Sequence, residues 1–254
     1  MSVIFQIAKR DLMSFIFSPL FFLLAAICTM VWSFSFIKKT IDFSYNSMSP
    51  QGMSDQVFSF FEIVVVNHIS VINLILIFAI AAITMKLFAE ERKTRTIDLL
   101  LTSPITSFQI IMGKYIAGFC IAILLVLMGY LYPAMSLFFV KMDVGLLMSS
   151  FLGLVLLAST YVAIGLFAST FSGSLVLSMV MAVSINLFLW ILSEGTIYSE
   201  STWMVKVLDH LSVGENLFTM VRGSISLSAM VYFLSLTLLF VFLSQKVIDS
   251  IRWR

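Results

Sequence analysis

Ile69-Ser-Val-Ile-Asn-Leu-Ile-Leu-Ile-Phe-Ala-Ile-Ala-Ala-Ile-Thr-Met85 decides the fold class. It is an apolar run without a charge, closed at Lys86 and followed by the cluster Glu90-Glu-Arg-Lys-Thr-Arg95. A helix needs ~20 mostly apolar residues to cross a hydrocarbon layer ~30 Å thick. Five further runs meet the same requirement, with ends uncertain by a few residues. The chain is therefore predicted to be an all-α integral membrane protein with six transmembrane helices, at 18–37, 69–85, 116–140, 145–171, 174–192 and 227–245. The stretch Val57–Val66 is apolar too. One helix from Val57 to Phe88 would cover ~48 Å at ~1.5 Å per residue, so Glu62, Asn67 and His68 mark its first part as an interfacial or outside lead-in.

Composition points the same way. Of 254 residues, 61% are hydrophobic and 11% charged, and the mean hydropathy is +1.09. A soluble domain carries about 25% charged residues, so freestanding soluble enzymes are excluded. A net charge of +2 leaves no electrostatic footprint for a nucleic acid. Cys28 and Cys120 both lie inside apolar runs and read as packing residues, with no metal or disulfide role.

Six spans place both termini on one face, and the basic residues say which. Lys9, Arg10, Lys86, Arg92, Lys93, Arg95, Lys114, Lys246, Arg252 and Arg254 fall on the side of the termini. Only Lys38, Lys39, Lys141, Lys206 and Arg222 fall opposite. The positive-inside rule puts both termini and the 86–115 loop on the cytoplasmic side.

Three stretches outside the spans carry information. Ser2–Phe17 sets Phe5, Ala8, Leu12, Phe15 and Ile16 at helical spacing, the pattern of an amphipathic helix at 1–17 lying in the inner interface. The 86–115 loop has a charged cluster, then Ile97, Leu100 and Leu101 on one face of a short helix. Pro104 disfavours helix at Ser103 and so ends it. Thr106 to Gln109 then forms a T-x-x-Q capping box that opens the third span. That apolar face needs a cover, either a partner's groove or the bilayer. The third stretch, 193–226, has two short amphipathic segments and Trp203, and its plain reading is an ordinary outside loop.

Isolated polar residues Asn67, His68, Asn73 and Asn186 lie in or beside spans, where such groups face protein or a pathway. Asn73 and Asn186 are candidates for lining a pathway, and interhelical hydrogen bonding is the plainer account. Gly129, Gly153 and Gly165 read as close-packing positions. No nucleotide-binding loop exists: Gly113-Lys114 is followed by Tyr115, and Phe108 stands where the first glycine of G-x-x-x-x-G-K-[ST] belongs. His68 and His210 are poorly placed for a Ser/His dyad. No catalytic residue, cofactor site or metal site is expected in this chain.

Phe88-Ala-Glu-Glu-Arg-Lys-Thr-Arg-Thr-Ile-Asp-Leu-Leu-Leu-Thr-Ser-Pro-Ile-Thr106, followed by Ile110-Ile-Met-Gly-Lys-Tyr115, resembles the signature loop of ABC-2-type permeases. Within that family it resembles most the gliding-motility-type (GldF-like) branch. Ser14–Pro19, Tyr161–Ser169 and Arg222-Gly223 are similar to the family at matching positions. Arg95 stands where the family usually has Gly, and Asp98 where it usually has Glu. The resemblance implies an ABC-2 (type V exporter-like) architecture in a bacterial inner membrane, with 193–226 as an external re-entrant segment, and a non-catalytic subunit. A separate cytoplasmic ABC ATPase would bind the ATP and magnesium. By motif position, Glu90, Glu91, Arg92, Thr96, Ile97, Asp98, Leu100, Leu101 and Pro104 would contact that ATPase.

It further implies a second permease chain, a homodimer before a heterodimer, with an auxiliary membrane or periplasmic subunit as a further partner. Export, or mechanical work on the envelope, would follow from ATP hydrolysis in the partner. The rivals are a membrane scaffold for an ATPase-regulated envelope complex and an intramembrane hydrolase.

Overall fold

The computed structural model describes residues 3–48, 60–94, 105–192, 202–224 and 226–252. Among them helix is the only regular secondary structure, with no strand. Helix α1 covers Val3–Ile16 and α2 covers Pro19–Met48. A π-helical turn, Phe61–Val66, leads without a gap into α3, Asn67–Thr84, and α4 follows at Lys86–Lys93. Then come α5 (Ser107–Ser136), α6 (Val144–Phe171), α7 (Leu175–Ile191), α8 (Thr202–Leu211), α9 (Val213–Val221) and α10 (Leu227–Arg252). Five helices are long and apolar enough to cross a membrane. The sixth, α7, has 17 residues and at ~1.5 Å each is only slightly shorter than a bilayer core.

Several helices run past the apolar stretches that announce them, because backbone hydrogen bonding does not stop where hydrophobicity does. Helix α2 continues to Met48 beyond Lys38-Lys39. Helix α5 starts at Ser107, where Thr106 makes both bonds of the capping box. Gln109 N donates to Thr106 Oγ1 at 3.3 Å, and Thr106 N donates to Gln109 Oε1 at 3.1 Å.

The segment from Phe61 to Lys93 holds 33 residues, about 50 Å if it were one straight helix. It is interrupted at Met85 by a side chain from α6. Ser169 Oγ accepts from Phe88 N at 2.9 Å and Ala89 N at 3.1 Å, and donates to Met85 O at 3.2 Å. A hydroxyl inserted into the i→i−4 ladder is one of the few causes of a local helix break. One turn earlier α3 and α6 touch at Gly165, whose missing side chain makes room for Thr84: a Cβ there would meet Thr84 Oγ1 and lie 2.7 Å from Thr84 Cβ.

Helix α6 is the hub of the bundle and packs against α3, α5, α7, α9 and α10. Helix α1 lies on α5, and α2 flanks α3 and α5. The core is aliphatic, with Ile72, Leu76, Ile80, Leu125, Leu157 and Leu166 all buried. Proline shapes one polar contact within it. Pro133 lacks the N–H that would bond Gly129 O, and His68 Nε2, fully buried, sits 3.3 Å from that carbonyl. Gly129 lies close against Ile72 and Trp32, and Gly153 against Met220, as close-packing positions should.

In the 193–226 connection, α8 and α9 are too short to cross a bilayer. Helix α9 buries Val213, Leu217, Met220 and Val221. Ser149 Oγ of α6 donates to Met220 O at 2.6 Å, and the Tyr232 hydroxyl of α10 donates to Leu211 O.

Candidate functional site

The charged end of the bundle is built where α1, α4 and α5 meet. Helix α1 turns Ile7, Ala8, Asp11 and Phe15 inward. It crosses α5 at Gly113, where an added Cβ would come within 2.8 Å of Ile7 Cβ and Cγ2. That contact sets Asp11 beside the next residue of α5, Lys114. Helix α4 buries Leu87, Phe88 and Ala89 and brings Glu91 to the same point.

Lys114 is the centre of this cluster, its side chain only 2% exposed. Its Nζ donates to Leu87 O at 2.6 Å, Glu91 Oε1 at 2.8 Å and Asp11 Oδ2 at 3.2 Å. The three N–H bonds of an ammonium thus match three acceptors from two helices. The Phe88 ring lies 4.8 Å away as a cation–π partner. Arg10 closes the network, with Nε 2.9 Å from Asp11 Oδ1 and Nη2 3.3 Å from Glu91 Oε1. Two cations thus face two carboxylates.

Burying an ion costs several kcal/mol even after relaxation, and removing one member of a buried pair costs about 3–5 kcal/mol. Lys114 is therefore held in place by partners it cannot lose singly. The cluster borders a cleft of about 530 Å³ that Ser14, Ser18, Lys86, Glu90 and Thr94 also line.

The remaining loop residues fall as follows. Glu90 is exposed. Arg92 Nη1 reaches Phe171 O, the last residue of α6, at 3.4 Å. Thr96, Ile97, Asp98, Leu100, Leu101 and Pro104 lie outside the described residues, as does Arg95. Both ends of that stretch are fixed: on one side by α4, through Ser169, Lys114 and Arg92, and on the other by the Thr106 capping box and Arg252 Nη1, which donates to Ile105 O at 3.2 Å.

Asn73 and Asn186, the candidates for a pathway, are each fully buried within the subunit. The Tyr161 hydroxyl donates to Asn73 Oδ1 at 2.8 Å. Neither Asn73 Nδ2 nor either polar side-chain atom of Asn186 has a partner among the described residues.

A family model for the ABC-2 family transporter protein matches residues 5–244, from the first turns of α1 through most of α10. The chain belongs to the ABC-2 transporter family. This ABC-2 protein is thus a multi-pass membrane chain of the permease kind, a type of subunit that is generally non-catalytic. Membership implies a partner ATPase subunit and a lipid bilayer around the helices. No curated protein matches the chain.

Lys114 is the residue that reading the sequence missed as a site, since it counted only as one more basic residue near the loop. The signal was present. A lone lysine among Ile110, Ile111, Met112, Ile116 and Ala117 needs a buried carboxylate partner, and Asp11 and Glu91 were available.

Proposed function

We propose that this chain is the permease subunit of an ABC transporter whose separate ATPase docks on segment 95–104 and drives export or mechanical work on the envelope. The observation that carries this reading is the family match over residues 5–244. Its loop motif falls on a stretch whose two ends are tied into the bundle at α4 and at Thr106. A docking segment held at both ends passes a push from its partner to the helices that anchor it. Two copies of the chain would pair in the inner membrane, with both termini and the loop in the cytoplasm, and α2 carries a broad outward apolar face for such pairing. The 193–226 connection would cap the pathway from outside as a re-entrant segment. Asn73 and Asn186 would reach a pathway only once α3, α6 and α7 part. Within the family, the loop motif favours the gliding-motility-type branch.

The test is co-purification. By their spacing in the sequence, Ile97, Leu100 and Leu101 would share one face of a short helix that needs a partner, since isolated helices under ~12–15 residues are marginal. Burying a leucine is worth ~1.5–3 kcal/mol, whereas an exposed ion pair gives ~0–1 kcal/mol. Leu100→Asp is expected to reduce the ATPase recovered with the tagged chain about tenfold or more, with membrane insertion intact. Arg92→Ala is expected to change it less than about threefold. Recovery of the same amount of ATPase with Leu100→Asp would reject the docking assignment.

A further inference from the structure

We infer that Lys114 is a positioning residue that locks α1 to α4, so that Glu91 acts inside the subunit on this ammonium while Glu90 faces the ATPase. The inference rests on the permease–ATPase reading and deepens it. Glu90 and Glu91 are adjacent in the loop motif, and motif position alone gives them one role. The geometry separates them. Glu90 is exposed and its carboxylate has no partner among the described residues. Glu91 turns inward, with Oε1 2.8 Å from Lys114 Nζ and 3.3 Å from Arg10 Nη2.

Lys114 joins elements that are far apart in sequence. It sits two turns inside α5, takes Asp11 from α1 and Glu91 from α4, and also bonds the α4 backbone at Leu87 O. The lock has a close mechanical seat, because Gly113 lets α1 rest on α5 at backbone distance, Ile4 O being 3.1 Å from where a Cβ would stand. On its other side α4 meets α3 at the break that Ser169 makes. Helix α4 is thus interrupted at its junction with its own span and bonded through charge to α1 and α5. A displacement of segment 95–104 is therefore delivered through α4 to α1 and α5 as one body. Glu91 shapes that transfer without touching the ATPase.

The experiment uses the full complex, purified from native membranes with the ATPase that the wild-type chain retains. Removing Lys114 alone leaves buried Asp11 and part-buried Glu91 with only Arg10 to balance them, and threatens folding. The informative variant is therefore the triple Asp11→Asn/Glu91→Gln/Lys114→Met, which keeps the three shapes, removes every buried charge and leaves only Arg10, whose side chain is 56% exposed. It is expected to insert and to retain the ATPase within about twofold of wild type. The increase in ATP hydrolysis that the permease confers should fall at least fivefold. Lys114→Arg, which keeps the cation, should preserve that increase. Glu90→Gln should weaken ATPase retention and leave stimulation per bound ATPase unchanged.

Spin labels at Ser14→Cys and Thr94→Cys give a second readout. Their separation is expected to stay constant between nucleotide-free and ATP-trapped wild-type complexes, and to shift or broaden in the triple variant. Unaltered stimulation in the triple variant overturns the inference. So does loss of the ATPase from it, because the cluster would then serve docking, and so does an ATP-dependent change of the label distance in wild type. A wild-type chain that retains no ATPase would instead refute the parent reading.

Discussion

The most apolar 18-residue stretches of α2 and α6 are about equally hydrophobic, yet 22% of the α2 stretch is buried inside the subunit against 72% of the α6 stretch. The difference lies in residue size and placement. Helix α6 carries Ser150, Gly153, Ala158, Ala163, Gly165 and Ser169, all buried and distributed around the helix. Small residues let backbones approach, which is how helices associate in a solvent as apolar as leucine. Helix α2 has a single inner stripe, Phe21, Ala25, Cys28 and Trp32, at spacings of four, three and four. Its other faces hold Phe22, Met30, Phe34 and Ile37, all exposed. In a bilayer, hydrophobicity places a helix at membrane depth, and the distribution of small side chains decides how many neighbours it takes.

The largest expected effect breaks α6 at its tightest point. Gly165→Ala puts a methyl group against Thr84 Oγ1 and 2.7 Å from Thr84 Cβ, next to the helix break at Met85. Overpacking typically costs ~1–3 kcal/mol and occasionally more. A clash so close to the α3 backbone belongs at the upper end. The variant is expected to accumulate poorly and to lose roughly 3 kcal/mol in denaturant unfolding in detergent, and adding Thr84→Gly should recover part of that loss. The same substitution of bulk on α2, Met30→Phe, is expected to leave stability unchanged. Equal losses at both sites would remove the distinction between hub and flank.

The same contrast explains how far the sequence could be read. The fold class was legible in the apolar runs, and the α5 start was legible because Thr106 and Gln109 are three apart and need nothing beyond each other. What depended on a distant partner was not. The N-terminal helix shows why: spacing alone offered Phe5, Ala8, Leu12 and Phe15 as one apolar face, but Phe5 is half exposed and Asp11 is buried. Lys114, brought by α5, draws the carboxylate inward and rotates the face that α1 presents. Likewise Ser169 and Met85 lie 84 residues apart, and no local pattern announces that a serine of one span interrupts another. The loop motif gave the family, and the described residues add what the motif could not: which of its two glutamates faces inward.

Two hydroxyls, one on each helix, differ in the same way at smaller scale. Ser169 on α6 serves another helix, since it takes two α4 amides and gives its proton to Met85 O. The Thr29 hydroxyl on α2 bonds within its own helix, donating to Ala25 O at 2.8 Å and Ala26 O at 3.0 Å. A typical hydrogen bond nets about 0.5–1.5 kcal/mol, and an unsatisfied buried donor costs about 1–3 kcal/mol. Ser169→Ala is expected to lose roughly 2 kcal/mol and to speed amide exchange at Phe88 and Ala89. Thr29→Ala should lose under about 0.5 kcal/mol, because the α2 carbonyls keep their backbone donors. Exchange at Phe88 and Ala89 that is indifferent to Ser169→Ala would show that the α3–α4 break persists without the hydroxyl.

The smallest effect on the subunit is expected at Phe34, in the middle of the outward face of α2 and 70% exposed. Truncating a core phenylalanine costs about 3–5 kcal/mol, the sum of lost transfer free energy and of the cavity left behind. No cavity forms at Phe34, because lipid or a neighbouring chain fills the space. Phe34→Ala should therefore leave the unfolding midpoint of the isolated subunit unchanged, to within about 0.5 kcal/mol. The pairing proposed for two copies is what this substitution should weaken. Expected outcomes are a lower dimer fraction for Phe34→Ala in detergent and an oxidant-induced dimer band for Phe34→Cys in native membranes. Leu238→Cys on α10, equally outward at 69% exposure, supplies the control and should give no such band. Cross-linking at Leu238 without cross-linking at Phe34 would move the partner to α10 and leave α2 facing lipid alone.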